Sequence, residues 1–122
     1  MENGDKLVVV TTNYVPGYKV TKVIGVSYGI VVRSRGIGGN ILAGLKSLVG
    51  GEIGAYTKML SEARQHAVQR LENDAEGRGA NAIIGMNFDS SEIGQMMTEI
   101  VAYGTAVRIE KEDKSAEPVS LR

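Results

Sequence analysis

The chain has 122 residues and a mass of 13.0 kDa, enough for one domain and too few for two. Lys and Arg number 14 against 14 Asp and Glu, which argues against a nucleic-acid binder working through a global positive field. With no cysteine and one histidine, disulfide scaffolds, thiolate zinc sites, thiol nucleophiles and poly-histidine metal centres are excluded.

Lys6–Thr12 (KLVVVTT) is short and β-branched, a strand stopped by the turn-like residues 13–17 with Pro16. Val20–Ser34 (VTKVIGVSYGIVVRS) reads as one long strand. At about 3.3 Å per residue it would span roughly 45 Å, more than a compact chain of this size is wide, so a bend at Gly25 and Gly29 or projection towards a neighbouring subunit is expected. Residues 36–54 mix glycines with Ile37, Ile41, Leu42, Leu45, Leu48 and Val49. The last five have helical spacing, and Asn40 and Gly50 suit the two ends of a short apolar helix. Ala55–Glu76 is the clearest helix, with Tyr56, Leu60, Ala63, Ala67 and Leu71 on one stripe, widened by Met59, Val68 and Ala75 and ended by Gly77 and Gly79. Asn81–Asp89 and Met97–Glu110 read as strands joined by a loop over Ser90–Gln95. In the second of them Thr98, Ile100, Ala102, Gly104 and Ala106 form a face of small residues that can lie close to a helix. Glycine makes up 16 of the 122 residues and aromatics 5%, a composition that packs backbones together rather than lining a roomy pocket with rings. Residues 111–122 are charged and contain a proline, and are expected to form a loosely attached tail beyond a single domain over 1–110.

Arg33, Arg35, Gly36, Gly38, Gly39 and Asn40 follow a strand and precede a helix, the order in which backbone amides cradle phosphate. The spacing matches no fingerprint: Ile41 stands where a dinucleotide loop needs its third glycine, and Leu45 separates Gly44 from Lys46. Anion binding through Arg33, Arg35, Gly36, Gly38 and Gly39 therefore stands beside a plain hinge reading. Lys19, Lys22, Arg33, Arg35 and Lys46 occur without an intervening acid, a local positive stretch. Glu62 and His66 lie four residues apart on the long helix and offer two metal ligands. The remaining ligands would have to come from Asp89, Glu92 or Glu99, or from Met96 and Met97; the alternative is a surface histidine paired to Glu62. Arg64, Arg70 and Asp74 interrupt the apolar side of this helix, so Arg70 is expected to pair with Asp74, or these groups to meet a carboxylate such as Glu99 across a subunit boundary. No spacing links a nucleophile to a base and an orienting group, so no reaction is proposed.

The segments GGEI, YTKMLSEAR, GANAIIG and AYGTAV occur in that order, preceded by TTNYVPGYKVTKVIGVSYG and the glycine-rich RSRGIGG. In these, from about Val8 to Ile109, the chain resembles the YbjQ family, small bacterial and archaeal proteins of unknown function labelled "putative heavy-metal-binding". The resemblance implies an α+β subunit, a helix on a small antiparallel sheet in two layers like a dodecin subunit, assembled as a homopentamer in which additional strands join neighbours. No residue here matches a known metal-ligand motif, so none is carried across. The expectation is a cytoplasmic, non-enzymatic homo-oligomer. A heavy-metal module completed between subunits is the second reading, and a small-anion binder at the glycine-rich turn the third. No cofactor is specified, and neither a nucleic-acid partner, a membrane span nor a signal peptide is expected.

Overall fold

The protein was analysed as a computed structural model, which describes residues 7–34, 54–95 and 97–113. The short helix expected after Asn40, and with it Arg35, Gly36, Gly38 and Gly39, lies outside the described residues, as does the tail beyond Asp113.

The elements are β1 (Val8–Val9), β2 (Tyr18–Ser34), α1 (Gly54–Gly77), β3 (Ala82–Ile93) and β4 (Met97–Lys111). They form a sheet of order β1-β3-β4-β2 with α1 packed on one side. β4 runs antiparallel to both β3 and β2, whereas β1 runs parallel to β3 with Val8 opposite Ala82. The two-layer α+β architecture is as expected, but the sheet is mixed rather than antiparallel. Strand composition carries no sign of direction, and the β1–β3 pairing joins residues more than 70 positions apart.

β2 alternates strictly from Val26 onwards, with Ser27, Gly29 and Val31 buried under the helix and Val26, Tyr28, Ile30 and Val32 exposed. Register shifts occur between Val20 and Lys22 and between Val23 and Gly25, the second at one of the two glycines where a bend is expected, and Gly25 has φ +140°. Gly29 serves another purpose. A Cβ there would lie inside contact distance of the Ala67 carbonyl oxygen and the Leu71 backbone nitrogen, so α1 rests directly on the strand backbone.

α1 buries Ala63, Ala67, Leu71 and Ala75 completely, the predicted stripe, against β2 and the small-residue face of β4. Small side chains on both layers allow that approach, and Val31, Ile83, Ile100, Ala102 and Ala106 complete the core. The helix stops where Gly79 takes φ +93° and its N–H donates to Glu76 O (3.0 Å), while Ala80 N–H donates to Ala75 O (3.0 Å).

Beyond the cap, Asn81 closes the sheet. Its side-chain N–H donates to Ile109 O (3.0 Å) and its Oδ1 accepts from Ile109 N–H (2.7 Å), so a buried amide takes the place of one ladder residue. β3 continues past the expected loop to Ile93, and the chain turns at Gly94 with φ +64°. Ser90, Ser91 and Glu92 have little strand propensity, but each pairs across to β4, and Ser91 Oγ donates to Glu99 (3.1 Å). At the other end β4 runs on to Lys111 opposite Tyr18, and Glu112 N–H donates to Gly17 O (2.9 Å).

Candidate functional site

Arg70 and Asp74 of α1 and Arg78, the first residue past its end, follow one another at four-residue steps, a row that faces the backbone of β2. Arg70 Nη1 donates to Ile30 O (2.6 Å) and Arg78 Nη1 to Val26 O (2.6 Å). Between them Asp74 accepts from Ser27 Oγ (2.6 Å) and from the Tyr28 backbone N–H, and sits 3.3 Å from Arg78. The Ser27 hydroxyl above all holds the Asp74 carboxyl below its ordinary value; desolvation, the next largest effect, opposes it, and the Arg78 hydrogen bond and charge and the Tyr28 N–H add to the lowering. Asp74 thus pairs with Arg78 rather than with Arg70, and the row meets its own strand. The reason is positional: β2 is the last strand of the sheet, so the outer backbone groups of Val26 to Ile30 need partners, and the helix edge supplies them. Arg64, the other polar interruption, stands over the Phe88 ring with 4.9 Å to its centroid.

The structure joins two candidates from separate motifs. Arg33, on the helix-facing side of β2, donates from Nη2 to His66 Nδ1 (2.6 Å). Arginine has only donors, so Nδ1 is the acceptor and the ring proton sits on Nε2. Glu62 is one turn earlier on the same exposed helix edge. Among the described residues no group of three or more His, Asp or Glu side chains is placed to hold a metal ion. Asp89 and Glu99 belong to the sheet face turned away from α1, and Arg33 brings a positive charge to the ring. Of the positive stretch read from the sequence, Arg35 and Lys46 lie outside the described residues, and along β2 Lys22 and Arg33 are separated by about 36 Å at roughly 3.3 Å per residue.

Among the described residues an apolar surface is also exposed. On the sheet face opposite the helix, Val26 (54% exposed), Tyr28 (57%), Ile30 (46%) and Val32 (46%) form a row along β2. Tyr103 and Val101 of β4 lie directly across from Tyr28 and Ile30, and Met97 and Ile93 extend the patch at the hairpin end. Monomers rarely expose a contiguous surface of this kind. A signal was present in the sequence, since the even positions Val26, Tyr28, Ile30 and Val32 carry no charged side chain, unlike a strand face that meets water.

The sequence also matches the family model YbjQ_1, described as "Putative heavy-metal-binding", over residues 7–110. The chain belongs to the YbjQ family. A UPF0145 protein of Thermoplasma volcanium is 57% identical over 121 residues, covering 99% of both chains. Another, from Bradyrhizobium sp., is 61% identical over 104 residues, covering 85% of this chain and 94% of its own. Among solved structures, a protein of unknown function of the DUF74 family from Pediococcus pentosaceus superposes with a TM-score of 0.58 at 17% identity, over 85% of this chain and 98% of that one. That likeness extends the fold beyond the family's close sequences. No helix among the described residues is long and apolar enough to cross a membrane.

Proposed function

We propose that this YbjQ-family protein works as a non-enzymatic cytoplasmic assembly of identical copies, closed as a homopentamer. The observation that carries the reading is the exposed apolar row Val26, Tyr28, Ile30 and Val32 with Tyr103 beside it, a second sheet face over which none of the other described elements packs. A further copy supplies the missing layer, and the resemblance to the family implies that five copies close the ring. The row of Arg70, Asp74 and Arg78 blunts the middle of the β2 edge, so contact runs through the face and through the strand ends beyond that stretch. Hydroxyl–carboxylate pairs do occur, Ser27 with Asp74 and Ser91 with Glu99, but Ser27 is fully buried and the second is a cross-strand pair. Light scattering after size exclusion should give about 65 kDa for five copies of 13.0 kDa, and Tyr28→Lys with Ile30→Lys should bring the mass down towards the protomer. A wild-type protein that runs at the protomer mass at micromolar concentration overturns the reading.

Metal binding is the second reading, favoured by the family description and by the exposed Glu62–His66 edge. A ring repeats these weak ligands at each subunit boundary, so a neighbour can complete what one chain lacks. Titration calorimetry with Zn²⁺, Cu²⁺ and Ni²⁺ should show heat that His66→Ala removes; equal heats exclude His66 as a ligand. Anion binding by Arg33, Arg35, Gly36, Gly38 and Gly39 is the third, and a salt-sensitive thermal shift with phosphate that Arg35→Ala abolishes is its test.

A further inference from the structure

α1 leans on β2 and β4 and barely meets β3, so among the described residues the helix covers little of the helix-facing side of the β3–β4 hairpin. A cavity of about 280 Å³ results, walled by Leu60 and Arg64 of α1, Ser90 and Glu92 of β3, and Thr98 and Ile100 of β4. Thr98 is only 8% exposed, and its Oγ1 is buried with no hydrogen-bond partner. Buried hydroxyls are nearly always satisfied, and a valine of the same shape would fill this position without the penalty. An orphaned hydroxyl on a residue that lines the cavity therefore points to something that occupies the cavity.

The rest of the wall defines what that is. Arg64 borders this cavity and a neighbouring groove of about 490 Å³, where its guanidinium stands over the Phe88 ring. Stacking on an aromatic face leaves the N–H donors of a guanidinium pointing outward in its own plane, the geometry that takes a carboxylate edge-on. Leu60 and Ile100 offer apolar surface for a short tail. We propose that this cavity binds a small aliphatic monocarboxylate, its carboxylate held by Arg64 and the Thr98 hydroxyl and its tail against Leu60 and Ile100. The site lies on the opposite side of the sheet from the apolar row assigned to assembly, so it does not depend on subunit number.

The test uses the full chain with methyl-labelled leucine and isoleucine, titrated with isovalerate and, separately, with inorganic phosphate. Isovalerate should give saturable shifts of the Leu60 and Ile100 methyl signals, with affinity falling about five-fold in Thr98→Val and about ten-fold in Arg64→Gln. Thr98→Val should melt above the wild type, since it removes the orphaned hydroxyl, so weaker binding cannot be put down to poor folding. Absence of saturable shifts with isovalerate, equal binding of phosphate, or undiminished binding in Thr98→Val each overturns the proposal.

Discussion

Gly29→Ala tests how closely α1 rests on the sheet. The added Cβ would overlap the Ala67 carbonyl oxygen and the Leu71 nitrogen and would stand 3.0 Å from Arg70 Cβ. The first two are helix backbone atoms, which cannot rotate aside as a side chain can. The helix must lift by on the order of 1 Å, and a gap of that size already forfeits a quarter to a half of each dispersion contact along the line of Ala63, Ala67, Leu71 and Ala75. Overpacking usually costs about 1–3 kcal/mol, and a clash against backbone belongs at the upper end, about 3 kcal/mol. With a urea dependence of about 1–3 kcal/mol per molar, the unfolding midpoint should fall by about 1–3 M. The measurement is urea unfolding followed by far-ultraviolet circular dichroism, at one fixed protomer concentration because any assembly makes the midpoint concentration-dependent. Gly77→Ala is the matched control: nothing lies within 4 Å of its added Cβ, and the change should stabilise by up to about 1 kcal/mol. A Gly29→Ala midpoint that coincides with the wild type refutes the account of helix–sheet contact.

Asn81→Ala should cost about 2–4 kcal/mol, because it leaves the Ile109 N–H and C=O unpaired in a buried position, and the Ile109 amide should lose its protection from hydrogen exchange. Unchanged protection at Ile109 would contradict the bridging role. Asp74 has a folded-state pKa below its ordinary 3.8, chiefly through the Ser27 hydroxyl, so its contribution is fully present above about pH 4 and is lost as pH falls through the lower folded value. The wild-type melting temperature should therefore drop more steeply below about pH 4 than that of Asp74→Asn, by a modest amount because the carboxylate is 42% exposed. Parallel acid limbs for the two proteins would show that the Ser27–Asp74–Arg78 contacts add nothing to folding.

Elements that depend on neighbours in the chain were legible. The helix is one residue longer at each end than its periodic stripe predicts, and the small face of β4 packs where its alternation placed it. The extension of β3 to Ile93 escaped notice because Ser90, Ser91 and Glu92 resemble a loop until β4 lies beside them. Arg70, Asp74 and Arg78 invited a pairing rule for isolated helices, which cannot foresee that an edge strand offers carbonyl oxygens to the same side chains. Arg33 and His66 were singled out for two different chemistries, and nothing in a separation of 33 residues announces that one would donate to the other. Thr98 reads in the sequence as one more small residue on a packing face, whereas the fold buries its hydroxyl without a hydrogen-bond partner.

The order of residues by itself determined where the chain curls into a helix, where it extends, and that glycine and alanine would let the two layers meet at the backbone. Those properties follow from side-chain period and size, which act over a few residues. Strand direction at β1, the sealing of the β2 edge, the bare row of valine, tyrosine and isoleucine, and the cavity beside Arg64 were decided only when distant segments were brought together. Each depends on which surface remains uncovered after packing, and that is a property of the whole arrangement rather than of any stretch within it.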